Sequence, residues 1–481
     1  MKLKYVIEQY PFLLPTLAAI FAIFTLPPYQ WSSLIFFSFA PLIYAVRNAS
    51  HVRQALLYGF LFGFIFSTYV TFSVLNGFHW FENAEIFVWI MYGVGFLIVL
   101  LSTVFSGLVS VLTYRLRTVK TGFFVLAATF LFFLVDVVLT TALSGFNYGS
   151  VQFSIAEQRG VLELLPLLPI EFFVGLVFLI NVLWAEALYK KSWILALLAL
   201  LLLLSFYIPV PYLKSVLDAP KEALTVALIQ DQERDADVVF GKTINGVFKS
   251  EHLADRIAEA AAKQPDIIVY PFNPWVGVMI EDGQMASFNK DIIAVTESQF
   301  NTWLQSHVPP EIVFVTWYTA SRNGSFYNEI GYWKNGIKIG EYQKQALFPF
   351  FDYTPQFAQQ AGVYTTPYDG SSGNKADPVI VNGVSAGAVV CSEITNQNAI
   401  AQSVGNADVL FSIGSEAMFT NELPAAYNYL QSKIIASTYR TPVVRSTKFG
   451  PSGVFGAHGE TLGTMPYGEE GVLVVDIPLS Q

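Results

Sequence analysis

The sequence predicts a membrane α-helical bundle followed by an α/β domain, and three observations carry that prediction. The chain has 481 residues, 53% apolar and only 13% charged, with mean hydropathy +0.48. That is too little charge to cover a soluble protein of this size. The charge is also unevenly spread: ten Lys/Arg stand against eight Asp/Glu through residue 209, and 17 against 28 beyond it. Past residue 210 the long apolar stretches give way to short β-rich runs separated by Gly, Pro, Asn and Asp. Two domains of different solvent class follow: 1–210 in the membrane, 211–223 as a Pro- and Lys-containing linker, and 224–481 outside it.

Crossing the hydrocarbon core takes roughly 20 mostly apolar helical residues. Candidate spans run from Pro11 to Leu26, Trp31 to Val46, Gln54 to Leu75, Ile86 to Tyr114, Gly122 to Leu143, Pro169 to Tyr189 and Trp193 to Val210. That makes about seven. The first two are short and flank Pro27-Pro28, so a helical hairpin is the alternative there. No small-residue cleavage site follows the N-terminal lysines, and the first helix is read as retained.

Loop charge sets the expected orientation. With the N-terminus cytoplasmic, the inner segments hold Lys2, Lys4, Arg47, Arg53, Arg115, Arg117, Lys120, Lys190 and Lys191, and the outer ones hold only Arg159. Acids such as Glu82, Glu85, Glu157 and Glu163 lie on the outer side. Seven crossings then deliver the second domain to the outer face. Asp136 lies within the fifth span and Glu186 near the inner end of the sixth. Intramembrane acids mark ion paths in some proteins, but two acids without basic partners more commonly cap or bridge helices.

In the second half, Leu224–Gln230, Asp266–Tyr270, Glu311–Trp317, Ala388–Cys391, Asp408–Ser412, Pro442–Arg445 and Gly471–Asp476 read as strands. Continuous apolar runs suit sheets covered on both faces, and helical segments alternate with them. The expected architecture is α/β, about 260 residues in one domain. One cysteine excludes an internal disulfide, and five scattered histidines offer no zinc spacing. No basic cluster points to nucleic acid.

Two residues invite chemistry. Cys391 follows an apolar strand and precedes Ser392-Glu393, and a strand end opening into a turn exposes a side chain beside backbone N–H groups. A lone cysteine after Val-Val is in general a small core residue. Lys344, in Tyr342-Gln-Lys-Gln-Ala-Leu-Phe-Pro-Phe350, is a cation among apolar neighbours. Such a group lowers a thiol pKa and stabilises an oxyanion, although a lysine there is commonly just exposed.

Taken in order, these pieces resemble the apolipoprotein N-acyltransferase family, bacterial membrane enzymes of the nitrilase superfamily. Leu26-Pro27-Pro28-Tyr29 with Ala40-Pro41-Leu42 is similar to that family's early motifs, and Val226–Gln230 to the strand opening its nitrilase domain. Tyr342-x-Lys344-x-x-Leu347-x-Pro349-Phe350 matches its lysine segment, Gly387-x-Val-Val-Cys391-x-Glu393 its nucleophile segment, and Pro442–Thr447 a late strand. The resemblance implies a nitrilase-like α-β-β-α sandwich on the outer face of the cytoplasmic membrane. It also implies two-step acyl transfer without metal or cofactor. Phospholipid is the acyl donor, a diacylglyceryl-cysteine lipoprotein the acceptor, and the protein a monomer among membrane lipids. By position Cys391 is the nucleophile, Lys344 the oxyanion stabiliser, Glu393 a supporting acid, and Asp352 the counterpart of a family glutamate.

The departures are specific. The family's catalytic glutamate falls at Phe272, within Tyr270-Pro271-Phe272-Asn273, and phenylalanine neither takes nor gives a proton. Loss of a positioned base costs on the order of 10²–10⁴ in rate. Ser415-Glu416-Ala417-Met418-Phe419 replaces Asn-Asp-Ala-Trp-Phe, Ser392 replaces a tyrosine, and Ile435-Ala436-Ser437-Thr438 stands at an Arg-Ala-x-Glu element. The family's C-terminal transmembrane helix has no counterpart before Gln481. Three readings stay open: an acyltransferase drawing its base from Asp352, Glu393 or Glu281; a degenerate homologue that binds lipid or lipoprotein; and a transporter-like or scaffold protein that keeps the outer domain.

Overall fold

The computed structural model describes residues 10–77, 85–142, 148–208, 223–232, 250–272, 278–281, 294–362, 369–417 and 419–479. Contacts divide the chain into one unit of Met1–Phe78 and Val88–Leu213 and a second of His79–Phe87 and Lys214–Gln481. The 211–223 linker lies outside the described residues apart from Ala223, as do Glu82, Asn273 and Met418.

The first unit is helical: α1 (Leu13–Phe24), α2 (Ala40–Arg47), α3 (Val52–Leu75), α4 (Glu85–Arg115), α5 (Thr121–Ala142), α6 (Ile170–Lys190) and α7 (Trp193–Ser205). Among the described residues α3, α4, α5 and α6 are long and apolar enough to cross a membrane. Large apolar side chains such as Trp89, Phe96, Phe123, Leu126 and Leu201 point outward from the helices. A helix greasy on its outer face is stable against lipid, not water. This is an integral membrane protein.

Of the seven segments expected to cross, four are long helices among the described residues and the other three are shorter apolar ones. α1 and α7 have 12 and 13 residues; at about 1.5 Å per residue each reaches roughly 20 Å of a core about 30 Å thick. The span expected over Trp31–Val46 is broken into a 3₁₀ turn (Ser32–Leu34), a helical turn (Ile35–Ser38) and α2. The break has a physical cause. Pro41 opens α2 and cannot continue a helix from behind. The N–H groups of Phe39 and Ala40 instead donate to Asn181 Oδ1 at 2.8 and 3.0 Å, while Asn181 Nδ2 donates to the Ile35 and Val177 carbonyls. Asn181 is fully buried.

The intramembrane acids are also accounted for. Glu186 has a basic partner after all: Arg47 Nε and Nη2 reach its carboxylate at 2.9 and 3.0 Å, and the guanidinium lies 3.8 Å over the Phe124 ring. The partners are 139 residues apart in sequence, which hides the pair from a linear reading. Asp136 accepts the Ser150 hydroxyl and the Val151 N–H, capping the short helix Val151–Ile155. Both acids close hydrogen-bond networks that a bundle in lipid needs.

The second unit is an α-β-β-α sandwich. Its first sheet holds β1 (Ala223–Gln230), β2 (Ile267–Tyr270), β3 (Val278–Ile280), β4 (Ala294–Thr296), β5 (Val313–Arg322), β6 (Ser325–Lys334), β7 (Ile337–Gln343) and β14 (Gly471–Pro478). The second runs β13 (Thr461–Met465), β12 (Ser452–Phe455), β11 (Val443–Lys448), β10 (Val409–Ser415), β9 (Val384–Val390), β8 (Val379–Val381). Strand residues of one parity fill the space between the sheets, among them Val226, Val269, Val315, Ala388, Ile413 and Val444. The other parity faces helices, which is why the strands read as continuous apolar runs. Ile268 and Phe314 meet α8 (Ser250–Ala261) and α9 (Glu297–His307), and Val389 and Leu410 meet α10 (Gln397–Val404) and α11 (Leu423–Tyr439). Gln230 ties the sheets at one end, accepting the Ser452 N–H and donating to the Pro466 and Glu469 carbonyls.

Candidate active site

β1, β2 and β5 are parallel neighbours, as are β9, β10 and β11. Their carboxyl ends therefore open on one side of each sheet, where α/β proteins place their ligands. Phe272 lies two residues past β2, Cys391 one past β9, Glu416 one past β10, and Lys448 ends β11. Lys344 follows the antiparallel β7.

Cys391 opens a 3₁₀ turn, Cys391–Thr395, in the left-handed region with φ +51°. A non-glycine residue held there stores strain and persists only where neighbours dictate it. Gly414 passes beneath, at ordinary van der Waals distance from the Cys391 Cα. The motif glycine Gly387 stands at a closer approach: a Cβ there would lie 2.1 Å from the Ser403 carbonyl of α10. The sulfur is half-buried and packs at the rim of the inter-sheet core. The Ser392 N–H donates to it.

The structure places Lys344 where its charge acts on Cys391. Lys344 Nζ sits 2.6 Å from Asp352 Oδ2, and both side chains are buried. Asp352 is held in turn by the Asn328 amide at 2.8 Å and the Phe348 N–H at 2.6 Å. Asn328 also accepts the Trp317 indole N–H. Burial works to discharge Lys344, but Asp352, Cys391 and Glu393 outweigh it, and its pKa is raised. The group is a fixed ammonium. Burial pushes the Cys391 thiol up, with Glu416 and Asp352 adding to the effect and Lys344 opposing it.

Glu393 has no exposed surface and accepts four hydrogen bonds: from the Tyr342 hydroxyl and the N–H groups of Gln345, Ala346 and Val390. It pins the end of β9 to the segment carrying Lys344, so it positions both functional groups. Burial raises its pKa against the pull of Lys344 and these donors. Glu281 is bound by Arg322 at 3.1 Å, and the same guanidinium binds Glu329 and Glu341. Phe272 lies against Trp317 with the rings tilted by 37° and centroids 4.0 Å apart, and packs at the same core rim as Cys391.

Four contributors escaped the linear reading: Asn328, Glu416, Arg445 and Lys448. Glu416 is buried against Arg445, with Asn428 donating to it at 3.4 Å; burial raises its pKa and Arg445 opposes. Glu416 was visible only as a motif departure and Arg445 only as part of a strand. Lys448 carried no signal. Its Nζ lies 5.7 Å from the Phe272 ring centroid.

Residues 252–481 match the carbon-nitrogen hydrolase family, and residues 18–183 match the apolipoprotein N-acyltransferase N-terminal domain. The apolipoprotein N-acyltransferase of Aquifex aeolicus is 24% identical over 230 residues, 47% of this chain and 48% of that relative. The one from Rhizobium rhizogenes is 25% identical over 281 residues, 54% of this chain and 49% of that relative. The chain thus spans about half the length of the curated relatives it matches. A crystal structure of a carbon-nitrogen hydrolase from Helicobacter pylori aligns at TM-score 0.38 and 17% identity, over 53% of this chain and 89% of that one. The two-sheet domain with its cysteine at a strand end is that of a carbon–nitrogen hydrolase superfamily protein. Within that class, with both domain matches in order along it, the chain is a divergent member of the apolipoprotein N-acyltransferase family.

Proposed function

We propose that the protein transfers an acyl chain from a phospholipid, through a thioester on Cys391, to the N-terminal amine of a lipoprotein. The observation that carries this reading is the buried Lys344–Asp352 pair acting on a strained, half-buried cysteine. In the first step the sulfur attacks the ester carbonyl. The Lys344 ammonium and the Ser392 N–H would stabilise the negative charge that develops on the carbonyl oxygen in the tetrahedral intermediate. The carbon–oxygen bond to the glycerol breaks and lysophospholipid leaves. In the second step the acceptor amine attacks the thioester and frees the thiol. The 224–481 domain would face the outer side of a bacterial cytoplasmic membrane, on which the lipid donor and the acceptor would both be met.

Incubating the protein with an acyl-labelled phospholipid and measuring intact mass tests this directly. Wild type should gain one acyl mass that Cys391→Ala lacks; no adduct at long times and high protein concentration overturns the reading. One observation favours a second reading, a lipid- or lipoprotein-binding homologue without turnover: Phe272 lies packed on Trp317 at the position of the expected glutamate. On that reading wild type stays unlabelled, and Phe272→Glu brings labelling back.

A further inference from the structure

Acyl transfer through a thiol needs a group that takes the sulfur's proton and returns it to the departing alcohol, at hydrogen-bond reach or through one water. Phe272 has no atom for that task. Three buried acids stand close to the cysteine: Glu393 in its own turn, and Asp352 and Glu416, whose charges act on its thiol. They differ in what their oxygens do. Glu393 accepts the Gln345 and Ala346 N–H groups on Oε1, and the Tyr342 hydroxyl and Val390 N–H on Oε2. Asp352 is filled in the same way, Oδ1 by the Asn328 amide and Oδ2 by the Phe348 N–H and the Lys344 ammonium. Glu416 is not. Its Oε1 takes both the Arg445 guanidinium and the Asn428 amide, and its Oε2 accepts no hydrogen bond among the described residues. Resting on the acyl-transfer reading, we propose that Glu416 carries the proton at this site, with Arg445 and Asn428 as its positioning residues.

Strand parity and register put Glu416 on the side of the cysteine's turn. β10 runs between β9 and β11, with Ile413 opposite Val390 and Ser415 opposite Lys448. Phe411 and Ile413 face the inter-sheet core, whereas Leu410 faces the helix layer. Gly414 and Glu416 share the parity of Leu410. The Glu416 N–H still donates to the Lys448 carbonyl at 3.1 Å, so the ladder holds to that residue. Two contacts agree with this side. A Cβ on Gly414 would stand 3.5 Å from the Cys391 Cα, and Asn428, on α11, reaches Glu416 at 3.4 Å. Ile394, in the turn that Cys391 opens, packs in the same helix layer. Glu416 thus leaves the end of β10 beside that turn, two residues, or about 7 Å of strand, beyond Gly414.

The chemistry suits this carboxylate. Burial is the main reason the Cys391 thiol is pushed up, and of the two acids that add to it Glu416 weighs more than Asp352. Burial also raises the proton affinity of Glu416, and Arg445 restrains it. A group that must take a proton and give it back needs that balance. The acceptor then comes from the end of β10 instead of the end of β2, where Phe272 stands. Lys344 supplies a standing positive charge and Glu416 the mobile proton. The Glu416 carboxylate takes the thiol proton as sulfur bonds to the ester carbon. The tetrahedral intermediate expels the glycerol oxygen, which takes that proton from the Glu416 carboxyl. In the second half the acceptor amine bonds to the thioester carbon and gives a proton to Glu416. The departing thiolate recovers it, and the site returns to its starting state.

The test is single-turnover release of lysophospholipid from labelled phospholipid by the full chain in detergent, with thermal melts to show that each variant is folded. Glu416→Gln keeps the shape and loses the base, and release should slow by about 10²-fold or more. That variant leaves Arg445 buried without its anion, so Glu416→Gln with Arg445→Met removes the whole pair and should be equally slow. A second substrate separates proton transfer from a merely structural role. With a 4-nitrophenyl ester of the same acyl chain, the leaving group departs without a proton, so the loss in both variants should be much smaller than with phospholipid. Release at the wild-type rate by either variant, or equal losses on the two esters, overturns the assignment and leaves the acyl-transfer reading intact. No release of lysophospholipid by wild type overturns the acyl-transfer reading and this role with it.

Discussion

At the residue scale, the site is a set of charges that hold one another in place. The Cys391 thiol is pushed above its ordinary pKa by burial, and the Lys344 ammonium is the counterweight. Since the thiolate is the reactive species, alkylation of Cys391 by iodoacetamide should accelerate with pH beyond the range of a free thiol. The sign of a further change follows. Removing the cation in Lys344→Met takes away the group that lowers the thiol pKa, so the inflection should move higher still. At pH 8 the alkylation rate should then fall by about tenfold per unit of added shift; an unchanged profile would mean that Lys344 does not act on the sulfur. The same variant leaves Asp352 buried without its cation, and breaking a buried pair costs about 3–5 kcal/mol. A lowered melting temperature should accompany it, and Asp352→Asn in the Lys344→Met background should recover part of the loss. Cys391, Lys344, Asp352 and Glu393 were all legible as positions, because each sits at a fixed offset in a motif. Their division of labour was not. Glu393 reads as a supporting acid from its place two residues past the nucleophile, but three of its four donors come from 342–346, about 50 residues before it.

At the element scale, two close fits explain why particular residues stand where they do. Gly387 lets β9 lie against α10, and a methyl group there would meet the Ser403 carbonyl, which is backbone and cannot swing away. Gly387→Ala should therefore lower stability by about 1–3 kcal/mol and displace Cys391 at the far end of the same strand. A melting temperature equal to wild type would contradict this packing. In the bundle, Asn181 replaces the hydrogen bonds that the broken segment before α2 cannot make. Asn181→Leu leaves two N–H groups without their acceptor at about 1–3 kcal/mol each, more than an ordinary apolar swap in a helix. Thermal unfolding in detergent measures it, and a neutral effect would show that the break is stabilised elsewhere. Strands were easy to read because apolar runs bounded by turn residues have a single parity rule. The second span was misread because apolar composition continues straight through Trp31–Val46, while the break depends on a proline and on an asparagine about 140 residues away.

At the scale of the whole molecule, orientation is a question of how many segments cross. Four long helices alone would leave both chain ends on one side of the membrane, whereas seven crossings put them on opposite sides. The loop charges, nine basic residues inside against one outside in the seven-crossing arrangement, favour the latter. A C-terminal alkaline phosphatase fusion should accordingly be active and a C-terminal green fluorescent protein fusion dark; the reverse pattern would place the second domain inside the cell. By itself the sequence established solvent class, the change from helical to α/β architecture and the order of the lysine and cysteine motifs, since composition and short-range periodicity are local properties of a chain. Only the tertiary structure paired Arg47 with Glu186 and set Lys448 over Phe272. Those contacts join residues from different helices, strands and turns, and a contact between distant parts of a chain exists only once folding has brought them to within a few ångströms.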